Sequence, residues 1–169
     1  DLNQGSLDLL EGLFRNAGAA NNARALAEAV GTFRQTEEEE PRSDYTPQTV
    51  ADYAGRAFAA VDALTAVPGM TPALFRHVRP ALTVYGEADT VDFATAPGDV
   101  LKAIPGVDPE TVDTYIAARN ASDAPVAVDL ILASGAAEEF YQEEPGFFVT
   151  VRVVAQSDGG ARFARTAVV

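Results

Sequence analysis

Along most of this chain apolar residues recur at helical spacing, and only near its end does the pattern change to that of strands. The clearest helical stretches are "DALTAVPGMTPALFRHVR" (62–79) and "DVLKAIPGVDPETVDTYIAAR" (99–119). In each, two apolar residues three apart, Leu64 and Val67 or Leu101 and Ile104, make one face of a short helix. Pro-Gly then stops it, because glycine accepts a left-handed backbone that other residues resist. Thr71 and Asp108 follow as N-caps, with Pro72 and Pro109 at the first helical position, where an amide donor is not needed. The pattern predicts helices over about 72–79 and 109–119, with Met70 and Val107 filling the gap inside each helix pair. Further helices are expected near 6–16, 21–34, 47–60 and 125–134, and the polar, proline-bounded stretch "QTEEEEPRSDYTP" connects the second of these to the third.

Two internal repeats organise these elements. Leu64, Val67, Pro68, Gly69, Met70 and Pro72 match Leu101, Ile104, Pro105, Gly106, Val107 and Pro109. The opening "DLNQGSLDLLEGLF" also aligns with "DFATAPGDVLKAIP", pairing Asp1 with Asp92, Asp8 with Asp99, Leu10 with Leu101 and Leu13 with Ile104. Two related helical units follow, roughly 1–80 and 91–145, each with the grammar of a helix-hairpin-helix. Between them "ALTVYG" (81–86) reads as a short strand. At the end, "FFVTVRVVAQ" (147–156) and "ARFARTAVV" (161–169) are two strands joined by the turn "SDGG". A hairpin by itself is marginal in water, so it must pack on the helices or belong to a larger sheet. The fold class is α+β. The aromatic residues Phe58, Phe75, Phe93, Tyr115, Phe140, Phe147 and Phe163 fall largely at core-facing spacings.

Charge changes what the hairpins can do. Twelve basic residues stand against 25 acidic ones, a formal net charge of −13 on 169 residues, and such a chain repels polyphosphate unless its cations share one face. Hairpins that grip phosphate place a second glycine after the Pro-Gly-apolar run and a cation nearby. Here Thr71 or Asp108 stands in that place, and Lys102 and Arg119 face Asp92, Asp99, Asp108, Glu110 and Asp113 in the same stretch. Only Arg56, Arg76, His77 and Arg79 form a candidate basic patch. Nucleic acid is therefore not an expected partner, although a DNA-binding module of the kind used in competence is the first alternative.

Catalytic chemistry finds little purchase. His77 is the single histidine and sits among arginines on an amphipathic helix, and no nucleophile elbow, phosphate loop or paired metal histidines occur. No catalytic residue is assigned and the chain is not expected to be an enzyme. Calcium, which takes six to eight oxygen ligands, is the one metal the composition leaves open. Acids cluster at Glu37–Glu40 with Asp44, at Glu87, Asp89 and Asp92, and at Glu138, Glu139, Glu143 and Glu144, without EF-hand spacing. A calcium-dependent adaptor is the second alternative, with its ligands unassigned. The chain has no cysteine, which excludes disulfides and thiolate metal sites.

The order "DLNQGSLDLLEGLF", "VDALTAVPGMTPALFRHVRPALTVYG", "VDFATAPGDVLKAIPGVDPETVDTYIAAR" and a terminal hairpin resembles the minor pseudopilin K family of type II secretion systems. The resemblance spans nearly the whole chain. One departure is visible: of the aromatic-acidic stretch that the family carries after its second helix, only Phe33 and Arg34 remain. The family implies two SAM-like domains inserted into a pilin-like sheet: 1–80 and 91–145, with a strand and connector at 81–90 and a sheet hairpin at 146–169. It also implies the periplasmic part of a tip subunit that assembles with the minor pseudopilins I and J and helps start the pseudopilus. An inner-membrane helix would lie upstream of Asp1, and the chain opens as though already inside a structured segment.

Overall fold

Ser6 begins the first helix, accepting a hydrogen bond from the Leu9 amide on its hydroxyl oxygen at 3.2 Å and so satisfying one of the donors a helix start leaves unpaired. Helix α1 (Leu7–Phe14) buries Leu9, Leu10, Gly12, Leu13 and Phe14. It runs into a π-turn, Arg15–Ala19, where Gly18 at φ 102° breaks the helical path. Helix α2 (Ala23–Glu38) then buries Ala23, Leu26, Ala27 and Val30, a single stripe at helical spacing. The computed structural model describes residues 1–38, 58–86, 89–121, 128–132, 135, 137–142 and 150–168. The helix expected near 47–60 lies outside these up to residue 57, and residues 58–60 are not helical.

Both helical hairpins have the caps that the sequence predicts. The first pairs a 3₁₀ turn, Val61–Ala66, with helix α3 (Pro72–Val78), and the Thr71 hydroxyl oxygen accepts from the Leu74 amide at 3.2 Å. In the second, α4 (Gly98–Leu101) precedes α5 (Pro109–Ala121), and the Asp108 carboxylate accepts from the amide and hydroxyl of Thr111 at 2.9 and 3.0 Å. Gly69 and Gly106 both take positive φ, 90° and 77°, the left-handed bend that makes glycine the fitting residue after each proline. Leu64, Val67, Leu101 and Ile104 are all buried, as is Val107, while Met70 packs partly buried against the same core.

Buried residues from Leu2 to Phe140 form one hydrophobic cluster, so the two halves share a core. They meet tightly at Gly12 of α1, where a β-carbon would clash with the Ala103 carbonyl oxygen. Beside it the Asn16 side-chain amide donates to the Lys102 carbonyl at 3.0 Å. Of the helix expected near 125–134, the described part is α6 (Asp129–Leu132). A 3₁₀ turn, Glu138–Phe140, follows and leads into one parallel bridge between Val91 and Tyr141.

Segment 81–86 is not a strand. Its backbone partners are irregular: the Leu2 amide donates to the Thr83 carbonyl at 2.8 Å, the Asn3 side chain to the Val84 carbonyl at 3.4 Å, and the Gly86 amide to the Asp1 carboxylate at 2.7 Å. The neighbouring loop turns two of its own amides into the Asp1 side chain, so it has no row of outward donors with which to build a ladder.

The terminal strands do form, as β1 (Thr150–Gln156) and β2 (Arg162–Val168), antiparallel with Val153 opposite Arg165. Residues 147–149 of the expected first strand lie outside the described residues. The five residues 157–161, with Gly160 at φ 83°, join the strands, a positive φ that suits a tight hairpin turn. The pair stands as a two-stranded sheet among the described residues. No helix of the described residues is long and apolar enough to cross a membrane.

Candidate interaction surface

The aligned aspartates of the two repeats do the same work. Asp1 accepts from the amides of Asn3 and Gln4 at 2.7 and 2.9 Å, and its carbonyl accepts from the Gly5 amide at 3.0 Å. Asp92 accepts from the Ala94 amide and the Thr95 hydroxyl at 2.8 and 2.6 Å, and its carbonyl accepts from the Ala96 amide at 2.9 Å. Each turn leaves carbonyls pointing inward, and an arginine from a following helix takes two of them. Arg34 of α2 donates to the Leu2 and Gly5 carbonyls at 2.7 and 2.9 Å. Arg119 of α5 donates to the Phe93 and Ala96 carbonyls at 2.9 and 2.8 Å. Leu2 and Phe93, Gly5 and Ala96 are equivalent positions of the repeat, so the same clamp is built twice.

The guanidinium suits this task because its donors form a fixed planar fork. Burial lowers the Arg34 pKa, the direction expected of a cation removed from water. In the second clamp the Tyr115 hydroxyl also donates to the Phe93 carbonyl, at 3.2 Å, and burial raises its pKa. Of the residues kept from the family's aromatic-acidic stretch, Phe33 packs against Phe58 with ring centroids 4.8 Å apart, and Arg34 is the clamp itself. Sequence reasoning did not find Arg119. Its partners are backbone carbonyls, which leave no residue signature.

The basic patch around the first hairpin is largely spoken for. Arg79 pairs with Asp62 at 3.2 Å and Arg76 folds back onto the Pro72 carbonyl at 3.2 Å, while Arg56 lies outside the described residues. His77 is exposed and borders a cleft of about 40 Å³ with Leu13, Asn16, Ala17, Val78 and Asp99, room for about one water. On the second hairpin, Asp108 spends its carboxylate on the cap of α5. Elsewhere on the surface Arg24 bridges Glu28, Glu11 and Asp8, and those bonds raise its pKa.

Of the acidic clusters, Glu39, Glu40, Asp44, Glu87, Glu143 and Glu144 lie outside the described residues. Among the described residues no three acidic or histidine side chains converge on a metal-sized site, and Asp92 is occupied by its own turn.

The aromatic expectations divide. Phe58, Phe93, Tyr115 and Phe140 are buried and Phe75 is half-buried, while Phe147 lies outside the described residues. Phe163 is the correction: it is 64% exposed. Strand alternation sends it to a face of β2 that no described helix covers, and the register sets it opposite Ala155. Val151, Val153 and Val154 on β1 are exposed as well.

Residues 2–87 match a family model described as type II secretion system protein K. The match takes in the first clamp, α1, α2 and the first helical hairpin. Searches of curated proteins and of solved structures return no match.

Proposed function

The chain belongs to the type II secretion system protein K family and is a component of that system; from this premise we propose that it acts as a minor pseudopilin at the pseudopilus tip. The proposed role is assembly: complementary surfaces join it to the minor pseudopilins I and J in the periplasm, and the joined subunits start the filament. The fold would be two SAM-like helical units carried by a pilin-type sheet, to which β1 and β2 belong. The observation that carries this reading is the family match over the first repeat, with its hairpin and clamp. The exposed apolar residues on β1 and β2 support it, because exposed apolar clusters are characteristic of surfaces that meet other proteins. Such a subunit works by binding and needs no turnover.

Co-expression with the periplasmic domains of pseudopilins I and J from the same system tests the role. The expected result is a ternary complex that elutes as one species in size-exclusion chromatography. Elution of the three proteins separately at micromolar concentration would refute it.

A further inference from the structure

Asp158, in the "SDGG" turn of the terminal hairpin, is the only aspartate of the chain that is followed by glycine, and no asparagine is. The turn closes around this pair without using it. The Gly160 amide donates to the Ser157 carbonyl at 2.9 Å, the bond that defines a β-turn over 157–160. The Ser157 amide donates to the Ala161 carbonyl at 2.9 Å, and the Ala161 amide donates to the Ser157 hydroxyl oxygen at 3.2 Å. Neither the Asp158 carboxylate nor the Gly159 amide has a partner among the described residues, and both residues are exposed. The space around them is open as well. A β-carbon on Gly159 would meet only the Ser157 hydroxyl oxygen, at 3.8 Å, and one on Gly160 would meet nothing within 4 Å.

Other aspartates are held in place. Asp1, Asp92 and Asp108 accept hydrogen bonds from backbone amides, and Asp8, Asp62 and Asp113 lie in ion pairs. Each is also followed by a residue with a side chain, which crowds the amide that follows. Glycine removes that crowding and lets the peptide rotate toward the carboxyl.

We propose that Asp158–Gly159 is a site of spontaneous isomerisation to isoaspartate. The Gly159 amide nitrogen attacks the Asp158 side-chain carboxyl carbon. A C–N bond forms, and the carboxyl hydroxyl leaves with the amide proton as water, which closes a five-membered succinimide. Water then adds to one of the two imide carbonyls. Where it breaks the bond from the Asp158 main-chain carbonyl carbon to the Gly159 nitrogen, the main chain runs through the Asp158 β-carbon and the freed carboxylate sits on the α-carbon. One water leaves and one returns, so mass is unchanged and a carboxylate remains. The backbone of the turn has gained one atom, and the Gly160-to-Ser157 bond no longer spans its proper length. A two-stranded hairpin has little stability to spare, so the end of the β1–β2 ladder beside the turn opens. The site stands apart from the assembly role and is tested without it.

The chain is incubated at physiological temperature for several weeks, folded or in urea. Isoaspartate is counted by enzymatic methylation with an isoaspartyl methyltransferase and located by peptide fragmentation. It should accumulate at residue 158 roughly tenfold above any other aspartate, and in the folded chain within about tenfold of the rate in urea, because the turn holds neither reacting group. Gly159→Ala, which the open space admits, should slow it roughly tenfold. Asp158→Glu, whose longer side chain must close a six-membered ring, should abolish it. Hydrogen exchange on the aged chain should show the Gly160 and Ser157 amides losing protection in proportion to the isoaspartate formed. Isoaspartate no higher at 158 than elsewhere, equal rates in Gly159→Ala and the parent, or a folded rate more than about a hundredfold below that in urea would each overturn the site. Unchanged protection at Gly160 in fully isomerised chain would overturn its effect on the hairpin.

Discussion

Removing Arg34 should cost far more than its single charge suggests. Its guanidinium donates to the Leu2 and Gly5 carbonyls at 2.7 and 2.9 Å, and Leu2 is fully buried. Hydrogen bonds to a charged group contribute about 1.5–3 kcal/mol each. Arg34 is half-buried, so water can replace part of the lost bonding in a truncated variant, and a net loss of about 2–4 kcal/mol is expected for Arg34→Ala. With a urea m-value of about 2 kcal/mol/M, the unfolding midpoint should fall by roughly 1–2 M. Arg34→Met, which keeps the apolar stem, separates bonding from packing and should retain most of the loss. Arg34→Lys keeps the charge but not the fork, and should recover about half. Arg24 is the control. It contacts three carboxylates, yet it is exposed, so Arg24→Ala should leave the urea midpoint close to that of the parent. A shift below about 0.5 kcal/mol for Arg34→Ala, or equal shifts at the two positions, would refute the clamp as a stabilising device.

Two further outcomes follow from the same geometry. Gly12→Ala improves helix propensity by about 1 kcal/mol but drives a methyl group into the Ala103 carbonyl, so thermal unfolding should show a net loss of about 1–3 kcal/mol; a gain would mean the halves can separate without cost. Tyr115 has a pKa raised by burial, so its hydroxyl holds its proton in the folded state at a pH where the unfolded chain releases it. The stability it contributes is complete below the ordinary tyrosine value of about 10 and is lost as pH rises above it. Urea midpoints measured between pH 8 and 11 should fall less steeply for Tyr115→Phe than for the parent, and parallel profiles would show that Tyr115 does not couple to folding.

The local rules that were legible in the sequence are those written in side chains of fixed type. Thr71, Asp108 and the prolines beside them mark helix starts because capping needs a short oxygen-bearing side chain followed by a residue that can do without its amide. The paired glycines mark bends for a similar reason. Segment 81–86 misled because a β-rich hexapeptide looks the same whether its carbonyls meet a strand or a loop, and only the Asp1 and Asn3 side chains decide between them. Phe163 misled because alternation says which residues share a face and nothing about whether that face is covered. The clamps were half legible. The alignment of Asp1 with Asp92 signals twin turns, but Arg34 and Arg119 sit at unequal distances from them, and their backbone partners carry no identity.

The contact between Gly12 and Ala103 has a consequence for tracing ancestry. Where a helix lies directly against a neighbouring backbone, the helix position cannot gain a side chain unless that backbone retreats, whichever residue the backbone belongs to. Distant relatives whose surfaces have drifted beyond recognition should therefore keep a glycine in the middle of the first helix wherever the second hairpin docks in the same place. That glycine is a narrower signature than overall similarity, and it can be sought in any set of sequences that share the two Pro-Gly turns.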